Sequence, residues 1–223
     1  GSTLDERGAL VFDVRTQRRL ARVPSPGGTR VTGVELSPDG RWLVLLCAGT
    51  SGAELWVRDL KGREARLVAT SERGNLWSSF TPDGRYLGFQ TDAAPREFEL
   101  REVGSWRTVT RFPTGSGRTP VFRFSPDGSH IATPVGGSRE YLVGSLGVER
   151  RGEAVETLQV FRTATGQPLV NEEAPGRIRG HGARIEDCPW SPDGTRVATL
   201  GADGRIGLWD PRQARFLRFL ARG

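Results

Sequence analysis

The 223-residue sequence has no methionine, two cysteines, two histidines and a single lysine, Lys61. Each scarcity removes a class of function. Cys47 and Cys188 are too few and too far apart for a disulfide framework, and both fall in β-rich runs where buried thiols are expected. His130 and His181 are isolated from one another and from the cysteines, so no zinc constellation is available and no cofactor is expected. No GxSxG elbow is present: Gly49-Thr50-Ser51-Gly52 and Gly144-Ser145-Leu146-Gly147 both miss its spacing. No phosphate-cradling loop ends in Gly-Lys-Ser/Thr. These gaps point away from an enzyme. No apolar run reaches the roughly 18 residues of a membrane helix. The charged first twenty residues do not read as a signal peptide, which favours the cytoplasm, with the periplasm open if a leader has been removed. The missing initiator and the Gly1-Ser2 start read as a piece cut from a longer protein.

Basic charge is abundant, yet it is of one kind and thinly spread. All but one of the 32 basic residues are Arg, and the net charge is +6. Acidic residues are interspersed through most of the chain. Only at the end do Arg205, Arg212, Arg215, Arg218 and Arg222 stand with Asp210 as the sole acid among them. That distribution reads as a solvated surface and makes nucleic acid an unexpected partner.

Turn formers decide the architecture. Glycine and proline number 30 and 14, and four near-identical tetrapeptides recur: Ser37–Gly40, Thr81–Gly84, Ser125–Gly128 and Ser191–Gly194, with starts 44, 44 and 66 residues apart. Proline presets the dihedral at the second turn position, and Asp-Gly suits a tight turn with positive φ. Short β-rich runs flank each turn (VTGVEL and RWLVLLC, LWSSF and RYLGFQT, VFRF and HIATPV, IEDCPW and RVATL), which makes four hairpins. A second marker closes a third strand at Phe12-Asp13, Arg58-Asp59, Arg101-Glu102, Phe161-Arg162 and Trp209-Asp210. A fourth follows in RRLARV, ARLVAT, WRTVTRF, QPLVNEE and ARFLRFL. Four antiparallel strands in about 44 residues is the size of one propeller blade.

On these motifs the chain resembles WD40-repeat β-propellers of the bacterial SPDG-rich kind, over nearly its whole length. The last unit carries the resemblance best, with Gly180-His181, the WSPDG turn, Ala202-Asp203-Gly204 and Leu208-Trp209-Asp210. The other three units lack the Gly-His and Trp-Asp pairs and equally resemble TolB-like propellers. The expected architecture is all-β: a half-blade in 1–24 with only its third and fourth strands, and full blades in 25–70, 71–113, 114–174 and 175–223. Such an array leaves open edges, which invites self-association.

The resemblance also implies a hydrogen-bonded network of His181, Asp203 and Trp209 with a hydroxyl. The usual serine slot, two residues before the aspartate, is Gly201, so either Thr199 substitutes or the network is incomplete. It further implies that the loops between second and third strands open on one face, the top, where a protein or peptide ligand binds. The longest lies at 136–156 in the third full blade, and its Arg139, Tyr141, Arg150 and Arg151 are side-chain types that anchor partners. A decorated hairpin without a partner is the alternative. Trp77, on an innermost strand opposite the place of Asp187, is either a ligand anchor or inter-blade packing. The functional expectation is an interaction scaffold from a larger bacterial signalling protein. A TolB-like periplasmic propeller, or one gating an attached hydrolase, is the alternative.

Overall fold

A computed structural model describes residues 2–5, 8–50, 52–62, 65–72, 74, 76–91, 96–115, 121–136, 156–169 and 180–220. These form eighteen strands in five antiparallel sheets. The first sheet holds β1 (Ser2–Asp5), β2 (Gly8–Phe12) and β3 (Arg19–Pro24). The second runs β4 (Arg30–Leu36), β5 (Trp42–Gly49), β6 (Gly52–Asp59) and β7 (Ala65–Ser71). The third runs β8 (Leu76–Phe80), β9 (Tyr86–Thr91), β10 (Arg96–Glu102) and β11 (Thr108–Gly115). The fourth has β12 (Arg123–Phe124), β13 (His130–Gly136) and β14 (Glu156–Arg162). The last has β15 (Ile185–Asp187), β16 (Val197–Gly201), β17 (Ile206–Asp210) and β18 (Arg215–Phe219). Each sheet is a meander in chain order.

One element differs from the sequence expectation. The first sheet carries a further strand, β1, paired with β2 from Ser2↔Val11 to Asp5↔Gly8, so it is more than a third and fourth strand. With one apolar residue in STLD, β1 has no alternation to reveal it. The expected fourth strand of the fourth sheet, QPLVNEE, is described as far as Leu169: Pro168 bridges Phe161, Arg162 N–H donates to the Gln167 carbonyl at 2.9 Å and Leu169 N–H to the Val160 carbonyl at 2.8 Å, while 170–173 lie outside the described residues. The Gln159 side chain also donates to the Leu169 carbonyl, at 2.8 Å. The β7 and β11 strands also run to Ser71 and Gly115, slightly past the expected blade limits.

Five sheets make four seams, and each seam has its own apolar cluster. Ala9, Val11 and Val23 of the first sheet meet Val31, Leu43, Leu45 and Cys47 of the second. Val44, Leu55 and Val57 meet Leu76, Phe80, Leu87 and Phe89. Phe98, Leu100 and Phe112 meet Phe122, Ile131 and Phe161. Ala132, Leu158 and Val160 meet Cys188, Val197 and Trp209. Leu43 and Leu45 face one seam while Val44 faces the next, so β5 is apolar on both sides and its sequence, WLVLLC, does not alternate. Both cysteines are buried free thiols, and burial raises the pKa of each.

The tetrapeptide turns have one geometry. In the first, Ser37 Oγ donates to Asp39 Oδ1 at 2.5 Å and accepts from Trp42 N–H at 2.8 Å, while Asp39 Oδ1 also accepts from Arg41 N–H at 3.0 Å. Thr81, Ser125 and Ser191 repeat the pattern with Asp83, Asp127 and Asp193. The closing glycines need positive φ, between 68° and 71°. Successive turns also lie close together: Cβ atoms built on Gly84, Gly128 and Gly194 would lie 3.5, 3.5 and 3.7 Å from Cδ of Pro38, Pro82 and Pro126, whereas one on Gly40 meets nothing within 4 Å.

Candidate functional site

The innermost strands β4, β8, β12 and β15 are tied to one another by polar side chains. Glu35 on β4 accepts from Phe80 N–H at 2.9 Å and Ser79 Oγ at 3.2 Å, both on β8. Burial raises the Glu35 pKa above the ordinary carboxylate value, against the pull of those donors. Arg123 on β12 forms a two-pronged pair with Asp187 on β15, Nε to Oδ1 at 3.0 Å and Nη2 to Oδ2 at 3.1 Å. The same guanidinium lies 5.1 Å from the ring centre of Trp77 on β8. Trp77 is half-buried and packs against the two apolar clusters on either side of the fourth sheet, while its buried Nε1 has no hydrogen-bond partner. Arg123 and Asp187 are each about a third exposed, so solvent screens the pair, and its two-pronged geometry fixes the guanidinium that lies beside the Trp77 ring. Sequence reasoning placed Trp77 near Asp187 but missed Glu35 and Arg123. The available signal was the slot two residues before each turn, occupied by Glu35, Ser79, Arg123 and Pro189.

The second constellation lies in the last sheet. His181 Nδ1 is 3.0 Å from Asp203 Oδ1, its Nε2 is 2.8 Å from Thr199 Oγ1, and Trp209 Nε1 donates to Thr199 Oγ1 at 2.9 Å. An indole N–H can only donate and a carboxylate only accept. With a neutral imidazole the proton order runs one way: Trp209 N–H to Thr199, Thr199 O–H to His181 Nε2, His181 Nδ1–H to Asp203. His181 and Thr199 are 0% exposed and Trp209 is 3% exposed, and both ring nitrogens of His181, the Thr199 hydroxyl and the Trp209 indole N–H all have partners within the network. Asp203 has its pKa lowered, with burial opposing and the bonds from His181 and Arg205 N–H prevailing. Of the two sequence alternatives, the hydroxyl is that of Thr199. A side chain at Gly201 would run into the His181 ring and come within 2.5 Å of Asp203 Oδ1.

This network borders the insertion. The ladder of β13 and β14 stays paired up to Gly136↔Glu156, the two ends of the long loop. Glu156 then exchanges both backbone bonds with His181, at 3.0 and 2.8 Å, and its carboxylate accepts from Ile185 N–H at 2.5 Å. The base of the loop is thus clamped to the network of the next sheet. Arg139, Tyr141, Arg150 and Arg151 lie outside the described residues.

The family profile "WD domain, G-beta repeat" matches residues 173–210. A WD repeat-containing protein of Deinococcus radiodurans, itself uncharacterized, is 27% identical over 222 residues, covering 95% of this chain and 80% of the relative. TolB from Acinetobacter baumannii superposes with a TM-score of 0.56 at 20% identity, over 96% of this chain and 49% of TolB. Kuenenia stuttgartiensis hydrazine synthase does so with a TM-score of 0.62 at 17% identity, over 94% of this chain and 60% of that one. The chain therefore spans about half of TolB and three fifths of the hydrazine synthase chain, and at these identities the likeness is one of fold.

Proposed function

We propose, from the premise that this chain is a WD40 β-propeller, that it is a protein-interaction module whose partner docks on the loop face, against the 136–156 insertion and the Trp77 side of the inner strands. The clamp of Glu156 to His181 and Ile185 carries the proposal: a long loop is held at its base by a fully satisfied buried network. Rigid frames that present variable loops are a common way to build a binding surface. The polar groups that could be mistaken for catalytic ones already have structural partners. His181 uses both ring nitrogens, and the four turn aspartates each accept from a Ser or Thr of their own turn. A place in the cytoplasm within a larger bacterial signalling protein, and pairing of copies through the open end sheets, complete the proposal.

The test is affinity capture followed by reconstitution. A partner captured by the wild-type chain and then purified is expected to bind the Tyr141→Ala/Arg150→Ala double variant at least tenfold more weakly. Unchanged affinity for a normally folded variant removes the loop from the binding surface.

A further inference from the structure

The seam between the fourth and fifth sheets contains a cleft of about 410 Å³ at the tetrapeptide-turn end, opposite the strand ends that carry the insertion. Pro126, Pro192, Pro211, Leu169 and Trp190 wall it, and His130 and Arg212 line it too. The seam between the second and third sheets has the same frame but is filled. There Trp42, the first residue of β5, meets Trp106 edge-on, with ring centres 5.0 Å apart and planes at 84°. Counted from the turn, the residue in the place of Trp42 is His130. Counted from the end of the third strand, at Glu102 and at Asp210, the residue in the place of Trp106 is Ala214. The backbone bears out the equivalence: Trp106 and Ala214 both have positive φ, 59° and 46°. Neighbours of the Trp106 indole recur as well, with Trp190 in the place of Phe80 and Pro211 in the place of Val103. In the intervening seam the corresponding residue is Gly166, and Phe112 fills the space against it. Of the three seams whose residues at this position are described, the last keeps the frame for an indole without the indole.

We propose that this cleft takes an aromatic side chain of a partner protein, presented on a segment with a carboxylate beside it. Three prolines and Trp190 offer flat apolar walls to a ring, and a volume of this size suits one large side chain and its flanks rather than a folded element. Arg212 is the group that would select a flanking carboxylate, against the negative charges of the two aspartates in the lining. Asp127 and Asp193 line the cleft, but each Oδ1 already accepts from its own turn hydroxyl, from a backbone N–H, and from the following Ser129 or Thr195. The Arg212 side chain is exposed and, among the described residues, has no hydrogen bond or ion pair. Burial and the charges of Arg162 and Arg212 lower the pKa of His130, against the pull of Asp127, so its ring is a neutral wall at neutral pH. An incoming ring beside Arg212 would also repeat the stacking of Arg41 over Trp42, at 5.1 Å, and of Arg85 over Tyr86, at 5.4 Å.

The experiment titrates the full chain, labelled at its indole and imidazole nitrogens, with acetyl-Asp-Trp-Asp-amide and with acetyl-Asp-Ala-Asp-amide. The tryptophan peptide is expected to give saturable NMR shifts at Trp190 and His130, with the alanine peptide at least tenfold weaker. Ala214→Trp, at a backbone conformation that already carries tryptophan in the third sheet, is expected to close the cleft and lower affinity at least tenfold without lowering Tm. Arg212→Ala is expected to weaken binding several-fold, and Tyr141→Ala/Arg150→Ala to leave it unchanged, which separates this site from the loop face. Shifts absent from Trp190 and His130 in the wild-type chain, equal affinity for the two peptides, or full binding by folded Ala214→Trp each overturn the proposal. If Ala214→Trp does not fold, the wild-type shifts and Arg212→Ala decide.

Discussion

Thr199 is where the hydrogen-bonded chain of the last sheet is most exposed to a single change. Its one oxygen receives the Trp209 indole and gives its proton to His181. Thr199→Val keeps the shape and leaves two buried groups unpaired, at a cost of about 1–3 kcal/mol each. Denaturant unfolding should show that loss, with Thr199→Ser recovering most of it. Gly201→Ser, which installs the residue usual at that slot, is expected to destabilise by about 1–3 kcal/mol through overpacking against His181. Neutral or stabilising behaviour of Gly201→Ser would mean the ring has another place to go. The four members of the network were legible in the sequence, down to the two alternatives for the hydroxyl. Thr199 and Gly201 lie two apart on one strand and share a face, so alternation could not choose between them. The choice was made by the volume of the His181 ring, which no strand pattern records.

At the scale of the element, the tetrapeptide turns are acid-sensitive fasteners. Hydrogen bonds from Ser125 and from Ser191 hold Asp127 and Asp193 down to about 2, and Asp39 and Asp83 are lowered as well. A carboxylate depressed in the folded state stabilises above its unfolded value, near 3.9, and that contribution is lost as pH falls through the folded value. Tm is therefore expected to fall between about pH 4 and pH 2, and Asp127→Asn/Asp193→Asn should flatten that part of the profile. An unchanged slope would assign the acid loss to other groups. These turns were the most readable part of the sequence because proline, aspartate and glycine each meet a fixed backbone demand. The strand that went unread, β1, owes its position to a neighbour: it is held by pairing with β2.

The whole molecule is a row of sheets in which the first and last share no strand pairing among the described residues. Its end is apolar: Leu200, Ile206 and Leu220 on the last sheet are 43%, 42% and 39% exposed. Leu200 pairs with Ile206 across the strands, and Leu220 N–H bonds to the Ile206 carbonyl, so the three are contiguous. Sedimentation is expected to show mass rising with concentration, and Leu200→Glu/Ile206→Glu to abolish the rise. A concentration-independent monomer would rule out pairing through this sheet. What fills each seam was the least legible feature at this scale, because Trp42, Trp106 and Phe112 come from different strand positions and meet only across blades.

The proximity of proline and glycine in successive turns has a kinetic consequence. Pro38 to Gly84 and Pro82 to Gly128 each close over 46 residues, but Pro126 to Gly194 closes over 68, because the insertion lies within that span. Loop closure costs more entropy over the longer span, though only slowly with length, and in a nearest-neighbour array each seam forms with little help from distant ones. The last seam is then expected to form somewhat later in refolding than the two before it, an order that pulsed hydrogen exchange during refolding would check. Opening of that seam parts the walls of the 410 Å³ cleft and separates Glu156 from His181, so both surfaces proposed for partners would rise and fall with one seam.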